Sequence, residues 1–105
     1  MLNDEDIERY ARQLVMAEIG EEGQEKLLAA RVLVIGAGGL GASVISALAG
    51  AGIGRLGLID GDTVDISNLN RQFIHTTDRR DQLKTASAAH FVAGLNPEIG
   101  VCVHE

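Results

Sequence analysis

The stretch VLVIGAGGLG, residues 32–41, contains the spacing Gly36-x-Gly38-x-x-Gly41. Branched apolar residues precede it and a helical repeat follows it, so it is predicted to be a turn from a strand into a helix. The first glycine permits the tight bend, the second lets the backbone approach a phosphate, and the third lets the helix pack against the strand. The motif suits a nicotinamide dinucleotide, a flavin or a nucleoside triphosphate equally. A strand–helix turn that binds no ligand is the alternative.

Asp60 ends the second predicted strand, about 20 residues beyond the glycine motif, where a carboxylate can accept hydrogen bonds from ribose hydroxyls. The segment GDTVDISNLNRQFIHTTDRRD follows it over residues 61–81. Connections of this length without regular structure are uncommon in a compact domain and are usually functional. The sequence therefore predicts that this loop forms part of the ligand site.

Two cations follow the second predicted strand, Arg71 in the loop and Lys84 at the start of the next helix. Ligands of open α/β sheets bind at the carboxyl ends of the strands, which is where these cations are expected. The same loop carries the amide side chains of Asn68, Asn70 and Gln72. Together they suit a polyphosphate, because preorganised cations stabilise the charge that develops as pyrophosphate leaves in adenylyl transfer. A solvated polar loop with a surface ion pair explains the residues equally well.

Hydrophobic periodicity predicts the elements that must position these residues. The predicted order is helix 4–16, helix 21–30, strand 31–36, a helix after the glycine motif, strand 55–60, helix 83–95 and strand 99–105. The first of these strands, RVLVIG, lacks polar alternation and is predicted to be buried on both faces. The last strand is expected to pack the thiol of Cys102.

Parallel strands alternating with helices predict an α/β fold, the Rossmann-like βαβαβ half of a doubly wound, mainly parallel sheet. Residues 1–30 are predicted to form an N-terminal helical arm, and residues 31–105 the N-terminal half of a nucleotide-binding domain. The strand RVLVIG is central in such a sheet, so three strands would leave one of its edges open. We expect either a longer protein or association of chains through that edge.

Composition excludes several classes of protein. The net charge of −6 argues against nucleic-acid binding, since phosphate backbones select basic surfaces. No apolar run approaches the roughly 20 residues that span a bilayer, and the acidic N-terminus is unlike a signal peptide, so a cytoplasmic location is expected. Cys102 is the single cysteine, which rules out an internal disulfide and a multi-cysteine zinc site.

Four ordered segments together resemble the ThiF/MoeB/HesA family, bacterial relatives of the ubiquitin-activating enzymes. They are RYARQ at 9–13, GAGGLG at 36–41, DGDTVDISNLNRQF at 60–73 and NPEI at 96–99. The resemblance covers nearly the whole chain but only the N-terminal half of the family's domain. It implies binding of ATP and magnesium, and adenylation of the C-terminal glycine of a ubiquitin-like sulfur carrier protein of the ThiS or MoaD type, with release of pyrophosphate.

The resemblance also implies roles for the matching residues. The nucleotide-binding set is Gly36, Gly38, Gly39, Gly41, Asp60, Asp62, Asn68, Arg71, Gln72 and Lys84. Within it, Gly39 is expected to line the ATP site and Asp60 to hold the ribose. Asn68, Arg71 and Lys84 are expected to bind the phosphates.

Arg12 in RYARQ resembles the family's arginine that reaches the triphosphate from the partner subunit, which implies a homodimer. Periodicity alone makes it a surface arginine on a helix. The expected catalytic residues are thus Arg12, Arg71 and Lys84. Asp62 is expected either to support neighbouring contacts or only to form the turn.

The chain departs from the family pattern in DQLK, residues 81–84, where relatives usually carry Gly-x-Pro-Lys. Asp81 is placed there to pair with Lys84. The magnesium-binding aspartate, the zinc cysteines and the reactive cysteine of relatives lie beyond the third strand, so this chain is expected to be inactive alone.

Two other functions remain open, an NAD(P)-binding oxidoreductase domain and a non-catalytic relative that binds only a nucleotide or a partner. The sequence leaves the carrier and its pathway open, whether thiamine or molybdopterin synthesis or another.

Overall fold

Three parallel strands in the order β1-β2-β3 form the only sheet in the computed structural model, which describes residues 1–104. The strands are β1 (Arg31–Ile35), β2 (Arg55–Ile59) and β3 (Gly100–His104). Ile35 lies beside Ile59 in the register, so β1 and β2 end level with each other. Both strands therefore deliver their following loops to one edge of the sheet.

Five helices and two short 3₁₀ turns accompany the sheet. The helices are α1 (Asp4–Arg9), α2 (Ala11–Leu14), α3 (Gly20–Ala29), α4 (Gly39–Ala51) and α5 (Lys84–Leu95). The 3₁₀ turns lie at Ile66–Asn68 and Thr77–Arg79, within the long polar loop. The predicted fold class is confirmed, because strands alternate with helices in a parallel Rossmann-like arrangement behind N-terminal helices.

The prediction of a single helix over residues 4–16 is wrong, because the helix is interrupted at Tyr10, which has φ −106° and ψ 15°. Tyr10 is 1% exposed, and its hydroxyl accepts a hydrogen bond from Asn96 Nδ2 at 2.8 Å. Turning this side chain into the core interrupts the helix, and Val15 lies 84% exposed just beyond α2. Asn3 caps α1 by exchanging hydrogen bonds with Asp6.

Helices α4 and α5 cover one face of the sheet. Side chains of β2 meet the two helices in the core, at Leu56, Leu58, Ile45, Ala49, Ala88 and Val92. All six are almost completely buried. This packing holds the amino ends of both helices at the edge of the sheet where β1 and β2 end.

The prediction that RVLVIG is buried on both faces is wrong for the described residues. Successive side chains of a strand point to opposite faces, and the helices cover only one of them. Leu33 and Ile35 therefore face outward at 53% and 78% exposure, and Cys102, expected to be packed, lies exposed beside Gly57 in the same row. β1 pairs only with β2 among residues 1–104, which confirms the expected open edge. None of the described helices is long and apolar enough to cross a membrane.

Candidate functional site

The glycine motif forms the turn between β1 and α4, and two of its glycines are required by geometry. Gly36 has φ +97°, a left-handed conformation that favours glycine, and its N–H donates to Ile59 O at 2.7 Å. A Cβ on Gly41 would lie 1.9 Å from Gly36 O. The turn therefore lies directly against the start of α4.

The amide N–H groups of Gly38, Gly39, Leu40 and Gly41 have no acceptor among the described residues. Gly38 is the N-cap of α4 and provides no side chain to satisfy them. Four free N–H groups at the positive end of a 13-residue helix favour the approach of an anion. Binding of a phosphate at this turn stays a prediction.

Asp60 ties the glycine turn to the end of β2. Its Oδ2 accepts the Ala37 N–H at 2.7 Å and its Oδ1 accepts the Asp62 N–H at 2.7 Å. Each carboxylate oxygen keeps a second lone pair, so a ribose hydroxyl could still donate to it. Asp62 takes part through its backbone, while its side chain is exposed.

Lys84 is 6% exposed, and its ammonium group makes no hydrogen bond or ion pair within residues 1–104. Its backbone N–H donates to Asp62 O at 2.9 Å, which fixes the start of α5 beside the loop that follows β2. The expected pairing with Asp81 is wrong. Asp81 has φ +70° and its side chain is exposed, while its N–H donates to Val64 O. The stem of Lys84 is buried while its unpaired ammonium reaches solvent, which leaves the charge available to an anion.

The loop residues reach the same edge of the sheet. Arg71 is exposed and lies beside the first turns of α4, where it lines a cavity of about 90 Å³ with Ser43 and Ser46. Its Nη1 donates to Asn70 Oδ1 at 3.2 Å. Gln72 lies under the turn, and a methyl group on Gly38 would be 3.7 Å from its Nε2.

Gln72 is 4% exposed, and its Oε1 has no hydrogen-bond partner. An orphaned buried acceptor is rare in folded proteins. Together with the free N–H groups and the Lys84 ammonium, it shows that several polar groups at this edge of the sheet have no hydrogen-bond partner within the described residues.

Local hydrogen bonds shape SNLNRQF. Asp65 accepts the N–H and the hydroxyl of Ser67 at 2.9 and 2.8 Å, and these bonds hold the pKa of Asp65 below its usual range. The carbonyl of Asn68 accepts the N–H groups of Arg71 and Gln72. The structure thus places Asn68, Arg71 and Gln72 in one turn beside the glycine motif, and the side chain of Asn68 makes no hydrogen bond within the described residues.

Arg12 lies elsewhere. It is exposed on α2, next to Gln13, whose Nε2 donates to Ala51 O at 3.1 Å. Ala51 ends α4, so Arg12 lies near the opposite end of a helix that is about 18 Å long between Gly39 and Ala51. The structure does not bring Arg12 to the glycine turn of its own chain.

Sequence reasoning missed three residues behind the turn, His75, Arg79 and Ser87. His75 is 4% exposed and its Nε2 lies 2.9 Å from Ala37 O. Ser87 Oγ lies 2.7 Å from His75 Nδ1 and 2.8 Å from Arg79 Nε. A histidine and an arginine in a polar loop give no sign in the sequence that they are buried. No cluster of three His, Cys, Asp or Glu side chains that could hold a metal occurs within the described part of the chain.

Comparison with known proteins identifies the family of this chain. A model described as the ThiF family matches residues 10–105. The chain belongs to the ThiF family. The resemblance drawn from its four segments is thereby confirmed.

Two curated relatives illustrate the match to the ThiF family. The chain is 52% identical over 96 residues to the adenylyltransferase and sulfurtransferase uba4 of Aspergillus terreus, covering 91% of this chain and 20% of that protein. It is 50% identical to the SAMP-activating enzyme E1 of Haloferax volcanii, covering 90% of this chain and 35% of that protein. The chain thus spans between a fifth and about a third of the length of these relatives.

A solved structure of a similar protein contains a nucleotide. The E. coli tRNA N6-threonylcarbamoyladenosine dehydratase TcdA in complex with ATP superimposes with a TM-score of 0.90 at 32% identity. That match covers 99% of this ThiF-family chain and 42% of TcdA.

Proposed function

We propose that this chain forms the ATP-binding part of an adenylyltransferase that adenylates the C-terminal glycine of a ubiquitin-like sulfur carrier protein of the ThiS or MoaD type. The observation that carries the proposal is that the free N–H groups at the start of α4 lie at the same edge of the sheet as the unpaired ammonium of Lys84, whose side chain is otherwise largely buried. An anion with several negative oxygens matches both features.

Different residues of the site bind different parts of ATP. The N–H groups of the glycine turn and the cations of Lys84 and Arg71 hold the phosphates, and Asp60 accepts the ribose hydroxyls. When a carrier carboxylate oxygen bonds to the α-phosphorus, the bond from that phosphorus to the bridging oxygen breaks and pyrophosphate leaves. Negative charge grows on the leaving oxygens, and fixed cations stabilise it more than they stabilise bound ATP.

ATP is favoured over a dinucleotide because of Lys84. Hydride transfer builds up no negative charge on phosphate oxygens, whereas the departure of pyrophosphate does, so an unpaired cation at this edge fits ATP better. We propose that magnesium enters with ATP, since Mg²⁺ is usually held by one or two carboxylates together with substrate phosphates.

The position of Arg12 supports a homodimer. Since Arg12 lies near the far end of α4 from the glycine turn, it can reach a triphosphate only in a second copy of the chain. We propose that two copies exchange this arginine, as the family resemblance implies.

Calorimetry with ATP·Mg²⁺ and with NAD⁺ tests the nucleotide class. We expect ATP to bind at least about tenfold more tightly than NAD⁺, since charged hydrogen bonds contribute about 1.5–3 kcal/mol each. Arg71→Ala should weaken ATP binding by about tenfold or more. Arg80→Ala is the matched control, because Arg80 is exposed in the same loop and its side chain makes no hydrogen bond among the described residues. Tighter binding of NAD⁺, or equal effects of the two substitutions, would overturn the proposal.

A further inference from the structure

The peptide groups around Ala37 in the glycine turn are held on both sides. The Ala37 N–H donates to Asp60 Oδ2 at 2.7 Å, and the Ala37 carbonyl oxygen lies 2.9 Å from His75 Nε2. Ala37 itself is 2% exposed. The orientation of the next peptide plane, which carries the Gly38 N–H, is therefore set by His75.

The contact with Ala37 O fixes a proton on Nε2 of His75. A carbonyl oxygen only accepts, so the imidazole proton lies on Nε2 and donates to Ala37 O. In the neutral imidazole Nδ1 then accepts the hydroxyl proton of Ser87, 2.7 Å away. Ser87 Oγ in turn accepts from Arg79 Nε at 2.8 Å. These contacts are compatible with a neutral His75.

Arg79 is itself anchored. Its Nη2 donates to Ile74 O at 2.7 Å and its Nη1 donates to His90 Nδ1 at 3.0 Å. At 8% exposure the guanidinium is a rigid support rather than a mobile surface charge. The network thus runs from α5 and the second 3₁₀ turn to the backbone of the glycine turn.

We propose that neutral His75 is a positioning residue for the nucleotide, holding the Ala37 carbonyl inward so that the Gly38 N–H points outward to the phosphates. The inference rests on the proposed function, since it assumes that a phosphate binds at this turn. Its physical basis is that the C=O and N–H of one trans peptide point in opposite directions in a rigid plane. Holding the carbonyl against His75 aims the N–H away from the protein interior.

The surroundings of His75 oppose its protonation. Burial lowers the pKa of His75 most, the charges of Lys84 and Arg79 lower it further, and the bond to Ala37 and the carboxylate of Asp60 raise it. These charged groups face the imidazole from α5, from the second 3₁₀ turn and from the end of β2.

The sign of the pH effect follows from the lowered pKa. The unfolded chain takes up the proton near pH 6.5, before the folded chain does. The contribution of His75 to folding is therefore fully present above pH 6.5 and is lost as the pH falls from there through the folded pKa. The imidazolium keeps its Nε2–H, so the hydrogen bond to Ala37 O is present in both protonation states.

Two variants separate positioning from simple packing. The amide nitrogen of Gln in His75→Gln can occupy the place of Nε2 and donate to Ala37 O. The amide of Asn in His75→Asn corresponds to Nδ1, so it meets Ser87 but does not reach Ala37. We expect His75→Gln to bind ATP within about threefold of the wild type and His75→Asn to bind about tenfold more weakly, the loss of about one hydrogen bond.

The test combines NMR of the ligand-free protein with calorimetry against ATP·Mg²⁺ between pH 5 and pH 8. In the wild type, the amide resonances of Gly38 and Gly39 should shift with the imidazole ¹⁵N signals of His75, because the imidazole bonds the carbonyl of the peptide that carries the Gly38 N–H. In His75→Gln that shift should vanish. The pH dependence of ATP affinity in His75→Gln measures the titration of ATP itself.

The outcomes are distinguishable. Glycine amides that ignore His75 titration, or His75→Asn binding ATP as tightly as His75→Gln, would overturn the positioning role while leaving the proposed function standing. A wild-type protein that binds no ATP at pH 8 would overturn both, even if the glycine amides follow His75.

Discussion

The two ends of α4 differ in how their polar groups are satisfied. At the carboxyl end, Ala51 O accepts from the side chains of both Gln13 and Gln24, at 3.1 and 3.0 Å. Gly52 closes that end in a left-handed conformation and donates to Leu48 O at 3.1 Å. At the amino end, the N–H groups of Gly38–Gly41 have no acceptor among residues 1–104.

Side chains around the two ends follow this contrast only in part, because a buried amide oxygen is unpartnered at each end. Asn96 Nδ2 at the carboxyl end donates to both Tyr10 Oη and Ala49 O, although its Oδ1 remains unpartnered. At the amino end, neither the ammonium of Lys84 nor Gln72 Oε1 has a partner in the described structure. The carboxyl end of α4 is therefore held by hydrogen bonds that stabilise the fold, and we call it the joint. The amino end keeps unpaired polar groups that a ligand can bind, and we call it the ligand end.

The motif RYARQ belongs largely to the joint. Arg9 Nη1 donates to Leu95 O at 2.9 Å, Tyr10 packs into the core, and Gln13 binds the end of α4. Arg12 is the exposed member without a hydrogen bond or ion pair among the described residues. Arg9, Tyr10 and Gln13 thus fix this segment to the rest of the fold. Arg12 lies on its surface, where a second copy of the chain could contact it.

The largest expected effect breaks the joint. In Gly52→Ala the new methyl would lie 2.6 Å from the Tyr10 ring and 2.7 Å from Gln24 Nε2, at a backbone φ of +89°. Left-handed strain and overpacking cost about 1–3 kcal/mol each, so the free energy of unfolding should fall by about 2–6 kcal/mol in urea titrations. Gly50→Ala is the control, because nothing lies within 4 Å of its Cβ and alanine favours a helix interior by about 0.5–1 kcal/mol. Equal effects at the two glycines would contradict this account of the joint.

A second change tests the ligand end. Lys84→Met keeps the length of the side chain and removes its charge, so the free energy of unfolding should stay the same or rise, because the buried stem is kept and the ammonium has no partner to lose. ATP affinity measured by calorimetry should fall about 10–100-fold, since charged hydrogen bonds contribute about 1.5–3 kcal/mol. Lys26→Met is the control, as Lys26 is exposed and pairs with Glu22 at 3.5 Å, far along the chain from the site. Loss of stability without loss of ATP binding would mean that Lys84 stabilises the fold and does not bind ATP.

The smallest expected effect separates the two ends most directly. Gln13→Ala removes hydrogen bonds to Ala51 O and to Gln24 Oε1, so the free energy of unfolding should fall by about 1 kcal/mol. ATP affinity should change by less than about twofold, because the bonds lie at the far end of α4. Arg12→Ala, one residue away, should change stability by less than about 0.5 kcal/mol. A marked loss of ATP binding in Gln13→Ala would show that the ends are coupled through the helix.

Much of the ligand end could be predicted from the sequence, because its features are local. The need for glycine at positions 36 and 41 follows from a tight turn between a strand and a helix. Asp60 and Lys84 follow from the rule that ligands gather at the carboxyl ends of parallel strands. The unpaired state of Lys84 could not be predicted, because Asp81 is near it in sequence but directed away by its own backbone.

The sequence by itself determined the order of strands and helices, the glycine turn and the family, since each depends on residue types within short segments. Only the tertiary structure decided which face of β1 is covered, how Tyr10 divides the first helix, and where Arg12 lies. It also revealed His75, whose partner Ala37 is 38 residues away in the chain. Burial and hydrogen-bond partners are set by segments that meet only after folding, so a local pattern carries no sign of them.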